Sequence, residues 1–150
     1  MSTGTQVDFE DVEAGLQIPP LVNIPTSVTL FRFSAVTWNA HRIHYDREFA
    51  LLEGHPDILV QAHLHGAYLA RTVMDWIGPL GRLVSLEWKN VAPAFPLDTL
   101  TCVGVVKSKV REGVLHKVKL ELVERNQHGE VCASGSADVT LPVREKVALA

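Results

Sequence analysis

Histidine is concentrated in one short part of the chain. The 150-residue sequence contains seven histidines, and five of them fall in a single stretch: His41, His44, His55, His63 and His65. Neither a core nor a solvated surface requires imidazole in such a cluster, whereas imidazole exchanges protons near neutral pH. The cluster therefore indicates acid–base chemistry.

A tight turn and two helices are predicted around these histidines. Asn39 and His44 lie on either side of the turn, and a short helix over 46–52 follows until Gly54-His55-Pro56 stops it. Residues Ala62–Ile77 are mostly apolar or small, which predicts a second, buried helix.

The start of this second helix predicts a site for negative charge. The first turn of a helix has backbone N–H groups without partners in the helix, and it carries the positive end of the helix dipole. Near Ala62 these groups could hold a carbonyl oxygen that gains negative charge while His44 moves a proton. The expected chemistry is proton transfer beside an activated carbonyl.

The order of these residues resembles the motif of the MaoC-like, R-specific hydratase family of hot-dog proteins. That motif is Asp-x-Asn-Pro-(Leu/Ile/Val)-His-x-Asp, followed by a His-Gly pair. Asn39 stands at the first Asp, His44 at the motif His and Asp46 at the last Asp, and Gln61-Ala62 falls where the His-Gly pair is expected. Asparagine at the first position is similar to one branch, the type 2 hydroxyacyl-thioester dehydratases and mesaconyl-CoA hydratase-like proteins.

The resemblance implies a reaction and roles for three residues. The reaction is addition or removal of water across the 2,3 bond of an enoyl- or 3-hydroxyacyl-thioester. His44 would be the general base, Asn39 would orient the hydroxyl or water, and the N–H of Ala62 would stabilise the enolate-like oxygen. No metal or cofactor is implied, because coenzyme A or an acyl carrier is part of the substrate.

Asparagine at position 39 leaves open which groups carry the two proton transfers of the reaction. An amide neither takes nor gives a proton at neutral pH. Either His44 carries both transfers, or His41 or a group from a partner chain shares them. A third possibility is that the domain is a non-catalytic half of a larger assembly.

Further candidates for contact with the substrate lie beside these residues. They are Gln61, His41, Arg42, Tyr45 and His63. The pairs His41-x-x-His44 and His63-x-His65 could instead bind a metal ion, but no Cys or carboxylate completes a familiar spacing. For the histidines other than His44, a structural role is the favoured interpretation.

Two other functions are compatible with a hot-dog domain. A thioesterase would need a carboxylate at the helix start, and neither Asp nor Glu occurs between Gln61 and Thr72. The other is a partner subunit without activity of its own. Because related domains form the acyl-thioester tunnel between two subunits, the resemblance implies a homodimer or a heterodimer with a related hot-dog subunit.

Composition and charge limit the class of protein. The chain is 47% apolar and 21% charged, with a formal net charge of −3, which gives no reason to expect nucleic acid as a partner. No apolar run approaches the roughly 18 residues of a membrane span. Cys102 and Cys132 lie in strand-like runs and are predicted as core residues. Acidic residues near the N-terminus and the lack of a basic apolar leader favour a cytoplasmic protein.

Basic side chains cluster on one predicted hairpin. They are Lys107, Lys109, Arg111, Lys117 and Lys119. A solvated face is the ordinary interpretation. The alternative is a landing site for the phosphates of coenzyme A.

Alternating residues predict an antiparallel sheet. The first strand is expected over Ser27–Thr37 and the second over Leu83–Lys89. Three runs with turns between them predict a meander, namely Leu100–Lys109, Leu115–Arg125 and Glu130–Pro142. A sheet with one apolar face can wrap a buried helix and cover its apolar surface. The expected fold is therefore a single α+β hot-dog domain with the helix wrapped by the sheet.

The remaining segments are predicted to lie outside this domain. Residues 1–26 are expected to form a tail and an extended arm, because Pro19, Pro20 and Pro25 disfavour a packed element. The domain is expected over 27–143, and a C-terminal tail over 144–150.

Overall fold

Five antiparallel strands form one sheet that lies against one long helix. The computed structural model describes residues 6–144. Residues 1–5 of the predicted N-terminal tail and 145–150 of the predicted C-terminal tail lie outside the described residues. The helices are α1 (Ser27–Thr37), α2 (Arg47–Leu52) and α3 (Ala62–Ile77), with short 3-10 helices at Phe9–Asp11 and Arg42–His44. The strands are β1 (Gln17–Asn23), β2 (Arg82–Asn90), β3 (Leu100–Glu112), β4 (Leu115–Arg125) and β5 (Val131–Thr140), in the order β1-β3-β4-β5-β2.

The main core lies between α3 and the inner face of the sheet. Apolar residues of α3 at helical spacing, including Leu69, Val73 and Ile77, pack on alternate residues of the strands, including Leu120 and Val139. This packing confirms the predicted helix wrapped by a sheet. No helix within residues 6–144 is both long and apolar enough to cross a bilayer.

The predicted meander and the predicted strand before it are confirmed. β3 continues three residues beyond the predicted end at Lys109, and β4 has the predicted bounds. Both cysteines are buried and form no disulfide, as expected for core residues. The one-sided alternation of apolar residues predicted these elements correctly because each strand buries only one face.

The prediction that the N-terminal segment forms an arm instead of a packed element is wrong. Gln17–Asn23 forms β1, in which Ile18 pairs with Gly104 and Leu21 with Cys102. Pro19 and Pro20 fall where the register shifts between these two pairs. Proline is compatible with this position because β1 lies at the sheet edge and the missing N–H groups interrupt only an irregular part of the ladder.

The prediction of a strand over Ser27–Thr37 is also wrong, because this segment is helix α1. The Thr29 N–H donates to the Thr26 side-chain oxygen, and the Thr26 N–H donates to that of Thr29, each at 3.2 Å. This reciprocal cap starts the helix. Leu30 and Ser34, four residues apart, form its buried face, so helical spacing and not alternation describes the pattern.

A second apolar cluster joins α1 to the start of α3. Its members are Leu30, Ala50, Ile58, Val60, Leu64, Ala94, Leu100 and Cys132. The cluster includes residues of α1, α2, α3, β3 and β5 and of the loops before α3 and after β2, so it fixes the first turn of α3 relative to the elements around it.

The close contact between β2 and β5 provides a test of this packing. A Cβ atom at Gly135 would lie 2.1 Å from the backbone oxygen of Glu87, so Gly135→Ala forces the strands apart. We expect the free energy of unfolding to fall by about 1–3 kcal/mol, measured by chemical denaturation. Ser134→Ala in the same strand is the control, and equal stability of the two variants would contradict this account.

Candidate active site

His44 is held between two local turns. It ends the 3-10 helix Arg42–His44, and Asp46 caps the following helix by accepting a hydrogen bond from the N–H of Phe49 at 3.1 Å. The ring is 8% exposed. Its Nδ1 lies 2.8 Å from the carbonyl oxygen of Leu59. Because a carbonyl only accepts, Nδ1 carries the proton and Nε2 of the neutral ring keeps a lone pair.

The environment of His44 favours the neutral, basic form. Burial lowers the pKa of His44, the hydrogen bond to Leu59 opposes this change, and the neighbouring His41 lowers the pKa further. The two ring centroids are 6.0 Å apart. The arrangement is suited to a general base, since the ring is unprotonated at neutral pH.

Helix α3 begins at Ala62 with free N–H donors. The residue before it, Gln61, gives no side-chain cap, and its carbonyl accepts from the N–H groups of Leu64 and His65 at 2.9 and 3.3 Å. Within residues 6–144, the N–H groups of Ala62 and His63 have no hydrogen-bond partner. These donors and the helix dipole provide an anion-binding position.

His44 and Ala62 line the same cavity of about 310 Å³. Its other walls are Ile43, Leu59, Val60 and His65, together with Asn90 at the end of β2 and the following Val91, Ala92 and Pro93. His44, whose ring keeps a basic nitrogen, and the start of α3 with its free donors therefore border one open pocket, which is the juxtaposition that the sequence predicted.

Asn39 lies outside the walls of this cavity. Its side-chain oxygen accepts from the N–H of His41 at 3.2 Å, so Asn39 closes the turn that leads to His44. It lines a neighbouring cavity of about 260 Å³ together with Trp38 and Tyr45. The hydroxyl of Tyr45 donates to the carbonyl of Ala40 at 2.8 Å. The predicted contact of Asn39 with substrate or water stays a prediction.

The remaining predicted residues are scattered around the site. His41 is exposed, and its Nδ1 accepts from the N–H of Ile43. Arg42 forms an ion pair with Asp46 at 2.6 Å and lies over the ring of Phe49 at 4.5 Å. His63 is exposed beside the indole of Trp88. Their predicted substrate contacts stay predictions.

Gln61 has a buried side chain that points away from the cavity. Its amide nitrogen donates to the Leu30 carbonyl at 2.7 Å and lies 2.9 Å from the Ser34 hydroxyl, which ties α1 to the start of α3. Its amide oxygen is buried without a hydrogen-bond partner among residues 6–144. The side chain therefore positions the first turn of α3, and its predicted substrate contact stays a prediction.

Sequence reasoning missed Glu124, which forms a buried pair with His65. The two side chains are 0% and 3% exposed, and Nδ1 of His65 is hydrogen-bonded to the Glu124 carboxylate. The Cys102 thiol donates to the other carboxylate oxygen at 3.3 Å. A signal was present, because Glu124 stands on the apolar face of β4 in register with Leu120 and Leu122.

Four of the five basic residues of the hairpin have acidic partners, and Lys119 has none among the described residues. The ion pairs are Lys107–Glu121, Lys109–Glu13, Arg111–Glu10 and Lys117–Glu112. Since these charges are already neutralised on an exposed surface, the structure favours a solvated face over a phosphate-binding site.

Comparison with solved structures identifies the class of fold. The chain superimposes on the R-hydratase PhaJ1 from Pseudomonas aeruginosa with a TM-score of 0.83 and 19% sequence identity, over 97% of this chain and 94% of that chain. This likeness places the protein among the hot-dog folds, as the motif predicted.

The sequence comparisons identify the family. Residues 17–96 match the model for hydroxyacyl-thioester dehydratase type 2, and the chain belongs to this family. It is 37% identical over 95 residues to a mesaconyl-C(4)-CoA hydratase of Chloroflexus aurantiacus, covering 55% of this chain and 31% of that protein. It is 31% identical over 88 residues to a 3-oxo-4,17-pregnadiene-20-carboxyl-CoA hydratase beta subunit of Mycobacterium tuberculosis, covering 59% of this chain and 65% of that protein. The matches thus span less than two thirds of each curated relative.

The state of the His44 ring can be measured directly. In an NMR titration we expect its protonation midpoint to lie below the value of about 6.5 for a free histidine, because burial penalises the charged ring. Long-range ¹H–¹⁵N correlations should show the neutral ring with its proton on Nδ1. A midpoint at or above 6.5, or a proton on Nε2, would contradict the assigned base.

Proposed function

We propose that this chain is a carbon–oxygen lyase that adds water to, or removes it from, the 2,3 bond of an acyl thioester. The substrate would be an enoyl- or 3-hydroxyacyl group on coenzyme A or an acyl carrier. The observation that carries the proposal is that His44 and the start of α3 face one cavity. The family and the hydratase names of its relatives support it.

The thioester oxygen binds at the start of α3. The α-proton of a thioester is too weakly acidic for an unassisted imidazole, so the enolate-like oxygen has to be stabilised while the proton moves. The free N–H groups of Ala62 and His63 supply hydrogen bonds there, and the helix dipole adds positive potential. Loss of a comparable donor costs about 3 kcal/mol of transition-state stabilisation.

His44 moves the proton. In the dehydration direction Nε2 takes the proton from the α-carbon, the bond from the β-carbon to its hydroxyl breaks, the hydroxyl takes a proton from a second donor and leaves as water, and the 2,3 double bond forms. The Leu59 carbonyl, 2.8 Å from Nδ1, stabilises the imidazolium and keeps the ring oriented. Asn39 supports this geometry through its hydrogen bond to the turn, since an amide cannot exchange the proton itself.

The assembly in this proposal is a dimer of hot-dog subunits, either two copies or this chain with a related one. β2 is an edge strand and has backbone groups free to pair with another chain. No metal or cofactor takes part in the proposed chemistry, and we propose a cytoplasmic location.

A partner subunit without its own activity is the second candidate. Two observations favour it: Asn39 lacks a titratable group, and one relative is a beta subunit. A thioesterase is less well supported, because the described residues that line the cavity include neither Asp nor Glu.

Replacement of His44 tests the proposed reaction. We expect His44→Gln to lower the rate of hydration of an enoyl-thioester panel by about 10²–10⁴-fold, as for loss of a general base. The rate is followed by loss of the enoyl-thioester ultraviolet band, and circular dichroism checks the fold. His128→Gln, in an exposed turn, is the matched control and should keep full activity.

The same assay separates the alternatives. Release of free thiol by the wild type would indicate a thioesterase. An inactive wild type that gains activity when mixed with a related hot-dog chain would indicate a partner subunit. Activity of His44→Gln within tenfold of the wild type would contradict the role of His44.

A further inference from the structure

The proposed roles of His44 and of the start of α3 do not involve the buried pair of His65 and Glu124. His65 lies at the end of the first turn of α3, and Glu124 is the residue before the last one of β4. Both carboxylate oxygens are engaged, one by Nδ1 of His65 and the other by the Cys102 thiol. The pair therefore has one defined arrangement, in which Nδ1 of the imidazole is held by the carboxylate.

His65 and His44 border one cavity. His65 is one of the residues that line this cavity, and its Nε2 has no hydrogen-bond partner among residues 6–144. Two side-chain polar atoms in that range are fully buried and lack a hydrogen-bond partner, namely Asn23 Nδ2 and Gln61 Oε1. Nε2 of His65 is not one of them, so this nitrogen keeps some exposed surface. The imidazoles of His44 and His65 thus border the same space.

The burial of Glu124 is costly unless it serves a partner. An ionised carboxylate loses its hydration in the core, and the neighbouring positions on the same face of β4 are Val118, Leu120 and Leu122. A carboxylate hydrogen-bonded to an imidazole favours the protonated ring. A buried carboxylate–imidazole pair beside a cavity is an arrangement that also occurs in catalytic sites, where the carboxylate orients the ring.

The other titratable groups around the pair stay neutral. Burial and then the Glu124 charge raise the pKa of Tyr68 to about 12, and the same causes raise the pKa of Cys102. Burial and then Glu124 also raise the pKa of Cys132 to about 11. His44, across the cavity, has a lowered pKa and is neutral. Among these described neighbours, Glu124 is the charge that acts on His65.

We propose that His65, oriented by its hydrogen bond to Glu124, is the second proton-transfer residue of the site. The inference rests on the proposed hydratase function and supplies the group that Asn39 does not. In dehydration, neutral His44 takes the α-proton while protonated His65 gives a proton from Nε2 to the departing β-hydroxyl, which leaves as water. The α-proton later passes from His44 to solvent, and His65 takes a proton back. Hydration is the reverse.

The test is the pH dependence of kcat in wild type, His65→Gln and Glu124→Gln. In His65→Gln we expect kcat to fall about 10²-fold or more, with loss of the alkaline limb of the profile, because the acid is gone. In Glu124→Gln we expect the alkaline limb to move to lower pH, because an amide stabilises the protonated His65 ring less than a carboxylate does. Glu121→Gln changes an exposed carboxylate of the same strand and is the control, with an unchanged limb.

The outcomes separate this inference from the proposed function. If His65→Gln and Glu124→Gln keep the wild-type profile and a kcat within threefold, while His44→Gln is inactive, the hydratase stands and the role of His65 is wrong. If His65→Gln does not fold, the position of the alkaline limb in Glu124→Gln decides. If the wild type hydrates no thioester, both proposals are overturned.

Discussion

The site depends on one backbone carbonyl, that of Leu59. Its hydrogen bond to Nδ1 of His44 decides which ring nitrogen carries the proton and which one meets the cavity. The carbonyl is itself fixed, because the Leu59 N–H donates to Ile43 and the next N–H, of Val60, donates to Ala94. The short segment before α3 thus connects the histidine turn, the loop after β2 and the helix start. The His44 ring and the free N–H groups of the helix start are therefore positioned by the same few residues of backbone.

The sequence predicted α3 and the meander correctly because burial of one face alone determines the spacing of their apolar residues. In α3 and the meander, one face of each element is buried against the same core, so spacing alone identifies it. α1 was mistaken for a strand because its outer positions are apolar too, and Phe31 is 59% exposed. β1 was missed because two prolines obscure a strand whose irregular register tolerates them. In both segments local composition pointed away from the structure that tertiary packing selects.

The candidate site was predictable to the extent that it is local in sequence. His44 and Ala62 follow from a motif and from the physics of a helix start, and the cavity joins them. Asn39 is close to His44 along the chain, but the turn directs its amide to the His41 N–H and to a separate cavity. The partner of His65 is 59 residues away, and only the pairing of β4 in the sheet brings it under the helix. A contact of that range needs the register of the sheet, which residue types alone do not define.

The buried amide of Gln61 gives α1 a role beyond covering the core. It lies immediately before the free N–H groups and donates to Leu30 and Ser34, so it connects the outer helix to the start of α3. The opposite side of α1 exposes Val28, Phe31 and Val36. A displacement of α1 by anything that binds this outer surface would therefore reach the donors of α3 through Gln61 and through the apolar cluster around Leu30 and Leu64.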